Sequence, residues 1–263
     1  MESPELNPER EINFSDHLRD SEISPIHKGS GKLLEIQNNP DKIVRVESFA
    51  DLKERYEGVL EPVVVGELGQ ELYGELKSHY GIDAPVEFMT GKDHDSNDVI
   101  YAIVDKVDGA DLDKIAVTPE LTEKVEKLYE AIAQYYLDKL PQEGALYLAD
   151  INNASQYVYG MKKGDEKPSI YLIDTDLYMR DGKAALYNIV LWLYRHMTTV
   201  ERKYGKRFDV ARETIGRILD APIPENLTDK ERAAAQEIRE KAREYLEGSR
   251  PIDNEDLIRF SYL

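Results

Sequence analysis

The sequence predicts an α+β protein in which a β-rich N-terminal part precedes a mostly helical C-terminal part. Three observations carry that expectation. β-Branched runs flank turn-forming residues between Lys32 and Val107. Apolar residues recur at helical spacing at Leu121, Val125, Leu128, Ile132 and Tyr135, and again from Leu186 to Val200. Helix-opening signatures stand at Thr118-Pro119 and at Thr228-x-x-Glu231.

Taken in order, residues 1–22 read as an N-terminal arm, because the first 20 carry two prolines and six acids among few apolar positions. Lys32–Gln37 and Lys42–Glu47 flank Asn38-Asn39-Pro40-Asp41 and predict a hairpin. A helix is expected over Ser48–Glu57, with Ser48 as N-cap, and a second from about Glu67 to Tyr80, stopped by Gly81. Val86–Met89 and Val99–Val107 predict another hairpin around the polar stretch Gly91–Asp98. Beyond Gly109 a long helix should run from Thr118 to Leu140, followed by a short β-like region over Ala145–Ile173. Helices are then expected around Ala184–Tyr204, Arg207–Leu219 and Thr228–Leu246. The reading is two lobes, 23–108 and 109–263, joined at Asp105–Gly109, with ligands expected in the cleft that such a joint creates.

Composition narrows the function classes. The 263 residues include 34 basic and 52 acidic side chains, a net charge of −18, which disfavours broad binding to nucleic-acid backbones. The absence of cysteine excludes disulfide scaffolds, thiolate metal sites and thiol nucleophiles. The longest apolar stretch, Ile189–Tyr194, is far too short to span a bilayer, and the opening residues lack the order of a signal peptide. No membrane span, no nucleic-acid partner and a cytoplasmic location are therefore expected.

The chemistry concentrates in Asp150-Ile-Asn-Asn-Ala-Ser155-Gln156 and Ile173-Asp174-Thr-Asp176. A turn near Gly164–Asp165 pairs residue i with 329 − i or 330 − i, which sets Ser155 and Gln156 beside Asp174 at the open end of a small hairpin. Asp150 lies a few residues upstream, within reach of the same end. Carboxylates with amide and hydroxyl oxygens are hard ligands that suit Mg²⁺ carrying substrate phosphates. Elsewhere the sequence is less specific. The five histidines form no metal-binding pair, and Asp93-His-Asp95-Ser-Asn97 lacks the glycine and the terminal glutamate of a calcium loop.

On these residues the chain resembles the protein-kinase-like superfamily, small-molecule and aminoglycoside phosphotransferases included, over roughly residues 23–200. The resemblance implies a two-lobed fold, with a β-rich N-lobe holding one main helix and a mostly helical C-lobe. It implies Asp150 as the residue that orients or deprotonates an acceptor hydroxyl, and Asp174 as the Mg²⁺ ligand on ATP phosphates. Ser155 or Gln156 stands where that family has its second, asparagine ligand. Gly29-Ser30-Gly31 would be the nucleotide loop, Arg45 would replace the phosphate-binding lysine, and Glu71 would be its helix partner. Backbone groups of Asp105 and Val107 would meet adenine. The expected activity is ATP- and Mg²⁺-dependent phosphoryl transfer to a protein or small-molecule hydroxyl. The replaced lysine and asparagine leave open a pseudokinase that binds nucleotide or a partner protein, and transfer of the nucleotidyl group is a third option.

Overall fold

A computed structural model describes residues 15, 18–20, 32–56, 61–140, 146–174, 177, 179–180, 183–223, 225 and 227–248. Along the chain these form β1 (Leu18–Asp20), β2 (Lys32–Ile36), β3 (Asn39–Ser48), α1 (Phe49–Tyr56), α2 (Pro62–Tyr80), β4 (Val86–Lys92), β5 (Asp98–Asp105) and β6 (Val107–Asp111). Next come α3 (Pro119–Lys139), β7 (Tyr147–Leu148), a 3₁₀ turn (Ala154–Gln156), β8 (Tyr157–Lys162), β9 (Ser169–Leu172) and β10 (Met179–Arg180). Helices α4 (Lys183–Tyr204), α5 (Asp209–Asp220) and α6 (Asp229–Gly248) complete the order. The class is α+β with largely antiparallel sheets. Two compact units emerge, one within 1–73, 85–107 and 162–165, the other within 74–84, 108–161 and 166–263.

The first unit is built on a five-stranded antiparallel sheet in the order β1-β2-β3-β5-β4. Alternation sorts its side chains. Leu34, Val44, Tyr101 and Ile103 turn to one face and bury together with Leu18 and Val99. Arg45, Glu47, Ile100 and Ala102 turn to the other, as the register Arg45↔Ala102 and Glu47↔Ile100 requires. Against that second face Gly66 of α2 comes so near Ile100 that a Cβ there would lie 3.2 Å from its Cδ1. Helix α1 opens as expected, with the Ser48 Oγ accepting from Asp51 N–H at 3.0 Å.

Three differences from the sequence expectation have local causes. The first hairpin turns at Gln37-Asn38, ahead of Pro40, because Asn38 takes the left-handed conformation (φ 64°) that a tight turn demands. Part of the expected arm is a strand: Leu18–Asp20 pairs antiparallel with β2, and Leu18 is buried. The expected joint Asp105–Gly109 is mostly strand as well, since β5 runs to Asp105 and β6 begins at Val107.

In the second unit α3 packs on α5 and α4, and α4 on α6. Thr118 caps α3 by accepting from Leu121 N–H at 3.2 Å, with Pro119 in the first turn. Thr228 and Glu231 form the reciprocal capping box of α6, Thr228 N–H to Glu231 at 2.8 Å and Glu231 N–H to Thr228 at 3.3 Å. Strands β6, β8 and β9 make a three-stranded sheet, and β7 pairs with β10. β6 and β8 can approach because glycine faces glycine: a Cβ on Gly109 would sit 2.3 Å from the Tyr159 carbonyl oxygen, and one on Gly160 2.3 Å from that of Asp108. Among the described residues no helix is long and apolar enough to cross a membrane.

Candidate functional site

The β8–β9 hairpin sets the geometry. Tyr157 faces Leu172 and Gly160 faces Ser169, so each pair sums to 329, and Gly164 (φ 95°) occupies the turn. Past the last pair the Gln156 carbonyl accepts from Ile173 N–H at 3.0 Å and from Asp174 N–H at 3.5 Å. Asp174 therefore leaves β9 directly beside Gln156. The 3₁₀ turn before β8 is capped by Asn153, whose side-chain oxygen accepts from Ser155 N–H at 3.1 Å, and Gln156 N–H returns to the Asn153 carbonyl at 3.0 Å. Gln156 is buried (4% exposed), and its side-chain Oε1 has no hydrogen-bond partner among the described residues. An unpaired buried carbonyl is unfavourable by roughly 1–3 kcal/mol, so this oxygen is suited to accept a donor or a cation. Asp174, which meets Gln156 through the backbone, and Ser155, which precedes it in the chain, are half-buried.

Asp150 follows β7, which is held by pairing Leu148↔Met179 and Tyr147↔Arg180. The loop after that strand is lined by tyrosine hydroxyls. Tyr129 and Tyr136 of α3 donate to the carbonyls of Asn152 (3.2 Å) and of Leu148 and Ala149 (3.3 and 3.4 Å), while Tyr135 accepts from Leu148 N–H (2.9 Å). Tyr157 of β8 donates to the Ile151 carbonyl at 2.6 Å. Burial, and next to it other tyrosines and the charge of Asp150, push the Tyr136 and Tyr157 hydroxyls well above their ordinary range. Asp150 itself is exposed. The rings of these tyrosines are core. Their hydroxyl function is signalled only by composition, 17 tyrosines to 5 phenylalanines, since a buried tyrosine needs a polar partner.

Of the residues expected in the first unit, Arg45, Glu71, Asp105 and Val107 are among those described. Gly29, Ser30 and Gly31 lie outside the described residues, as do Thr175 and Asp176 of the second. Arg45 is buried in β3 between Leu33 and Ala102. Glu71 is exposed on α2 and makes no ion pair with Arg45 among the described residues. The acid four residues on, Glu75, is the one engaged, bound by Lys139 Nζ at 2.6 and 2.8 Å. Asp105 N–H is committed to the Pro85 carbonyl (2.9 Å), and its carboxylate pairs with Lys42 (3.0 Å). Val107 is half-buried at the start of β6.

Two further places are accounted for by structure alone. At the tip of the β4–β5 hairpin Asp93 accepts from Asp95 N–H, Asn97 N–H and the Asn97 amide at 2.8–3.0 Å, so its oxygens are occupied by its own turn. A hollow of about 290 Å³ between α4 and α5 is lined by Glu201, Arg202, Lys206, Arg207 and Arg212. None of the expected site residues lines it, and the Arg212 guanidinium is closed onto Glu201 at 2.5 and 2.8 Å. Among the described residues no three acidic or histidine side chains cluster as a metal site. No family model matches the chain, and no curated protein matches it.

Proposed function

We propose that the chain is a divergent ATP- and Mg²⁺-dependent phosphotransferase of the protein-kinase-like class, acting on a hydroxyl acceptor of a protein or a small molecule. The two-lobed kinase-like arrangement is part of this proposal. So are nucleotide-contact roles for Gly29, Ser30, Gly31, Arg45, Glu71, Asp105 and Val107. The observation that supports the reading most is the juxtaposition of Asp174 with Gln156, whose buried Oε1 lacks a partner among the described residues.

The donor set fits Mg²⁺ on its chemistry: one carboxylate and neutral oxygens suffice when waters and phosphates fill the remaining positions. Asp174, Gln156 and Ser155 would hold the ion, which when bound neutralises charge on the nucleotide phosphates. Asp150 would orient the acceptor. In the transfer, a bond forms between the acceptor oxygen and the γ-phosphorus while the bond from that phosphorus to the β,γ-bridging oxygen breaks. ADP departs with the bridging oxygen, and the acceptor proton passes by way of Asp150 to solvent. Most of the acceleration would come from orientation and charge placement.

A nucleotide- or protein-binding pseudokinase is the second reading, favoured by Arg45 and Gln156 standing where the family has lysine and asparagine. Label transfer separates the readings. The proposal expects γ-label from Mg²⁺–ATP on water, on the chain itself or on an added alcohol, and loss of that transfer in Asp150→Asn. Bound ATP without transfer would establish the pseudokinase. Transfer of α-label instead would establish a nucleotidyltransferase.

A further inference from the structure

In the run Tyr147–Asn152 one side chain faces solvent. Tyr147, Leu148, Ala149, Ile151 and Asn152 are 2%, 1%, 7%, 2% and 3% exposed, whereas Asp150 is exposed. Irregular backbone is normally at the surface, where water satisfies its carbonyls. Here the carbonyls at 148, 149, 151 and 152 and the amide at 148 are satisfied by four phenols instead. Three of the phenols come from one helix and the fourth from β8, so the loop is fixed from two elements at once. The rings are themselves locked edge to face, Tyr135 to Tyr136 at 5.3 Å and Tyr136 to Tyr147 at 6.4 Å. Burial raises the hydroxyls of Tyr129, Tyr136 and Tyr157 above the ordinary tyrosine range, so these donors stay protonated at neutral pH.

We infer that Tyr129, Tyr135, Tyr136 and Tyr157 are positioning residues: their hydroxyls hold the backbone on both sides of Asp150 so that this one carboxylate is presented in a fixed orientation. The inference rests on the phosphotransferase reading for what Asp150 does, and on the structure alone for how it is held. Tyr157 matters most, because its 2.6 Å bond falls on the residue that follows Asp150. The flanking bond from Tyr136 is shared between two carbonyls, so it is weaker for each.

The test uses the full chain with Tyr157→Phe, Tyr136→Phe/Tyr157→Phe, and Tyr194→Phe as a buried control whose hydroxyl bonds Tyr245 instead. Amide exchange over 149–152 should quicken roughly three- to tenfold in Tyr157→Phe, more in the double variant, and not in the control. Release of γ-phosphate from Mg²⁺–ATP, with water as acceptor, should lose roughly 10- to 100-fold in kcat at a nearly unchanged KM for ATP. Unchanged exchange in a folded double variant overturns the holding role. Faster exchange with unchanged kcat overturns the positioning role. A wild-type chain that neither binds Mg²⁺–ATP nor releases phosphate overturns the phosphotransferase reading and with it the catalytic half of this inference, while exchange at 149–152 still decides the holding role.

Discussion

The turn Asp93–Asn97 and the loop Leu148–Asn152 each set aspartate close to asparagine, yet their polar groups are satisfied from opposite sources. At the turn the aspartate serves the backbone: Asp93 takes three hydrogen bonds from residues within four positions of itself. In the loop the backbone is served by distant phenols, and the aspartate is left facing outward. An acid that caps its own turn is structural and has little left to offer a ligand. An acid whose neighbours on both sides are buried and held by phenols is carried to the surface, where a ligand can reach it.

Substitution of glycine gives the largest expected effect on stability. Gly160→Ala would drive a methyl group into the backbone at Asp108 and prevent β6 from pairing with β8, so denaturant melts should show a loss of about 3 kcal/mol. A Cβ on Gly91, beside the hairpin tip, would lie 2.8 Å from the edge of the Tyr101 ring, a side chain where Gly160 meets backbone, and Gly91→Ala should be milder than Gly160→Ala. Asp150→Asn sharpens the contrast in function: γ-phosphate release should fall about 10²–10⁴-fold, while the melting temperature stays near that of the parent. Asp93→Ala should do the reverse, losing about 1 kcal/mol of stability and leaving phosphate release intact. The smallest effect is with pH. The Asn97 amide, then the backbone amides of Asn97 and Asp95, hold the Asp93 carboxyl below its ordinary value. Its contribution is therefore present above the ordinary carboxylate range and is lost as pH falls through the depressed value. Amide shifts of Asp95 and Asn97 should report that loss on acidification, and the Tyr157 contact to Ile151 should show no matching transition.

Local signals were the legible ones. Thr118, Thr228 with Glu231, and Gly81 (φ 68°) mark helix ends through bonds or torsions within a few residues, and a reader of the sequence can place them. The hairpin register was legible too, because a tight turn at Gly164 fixes pairing by arithmetic and brings Gln156 to Asp174. Strand β6 was not, since Val107-Asp-Gly-Ala-Asp has no apolar alternation and pairs through the approach of Gly109 to Gly160, 51 positions on. Which acid of the α2 face is bound was equally hidden: Glu75, in preference to Glu71, meets Lys139, 64 positions away. The tyrosine hydroxyls stayed illegible for the same reason. A helical stripe shows which rings are buried and says nothing of the distant carbonyls they will find.

The proposed phosphotransferase requires Asp174 and Gln156 to seat a nucleotide's magnesium. Thermal melting with and without Mg²⁺–ATP tests that most directly. The expected result is a rise of a few degrees in the parent chain, retained in Asp150→Asn and abolished in Asp174→Ala. A parent chain whose melting temperature ignores Mg²⁺–ATP, or an Asp174→Ala variant that shifts as the parent does, would contradict it.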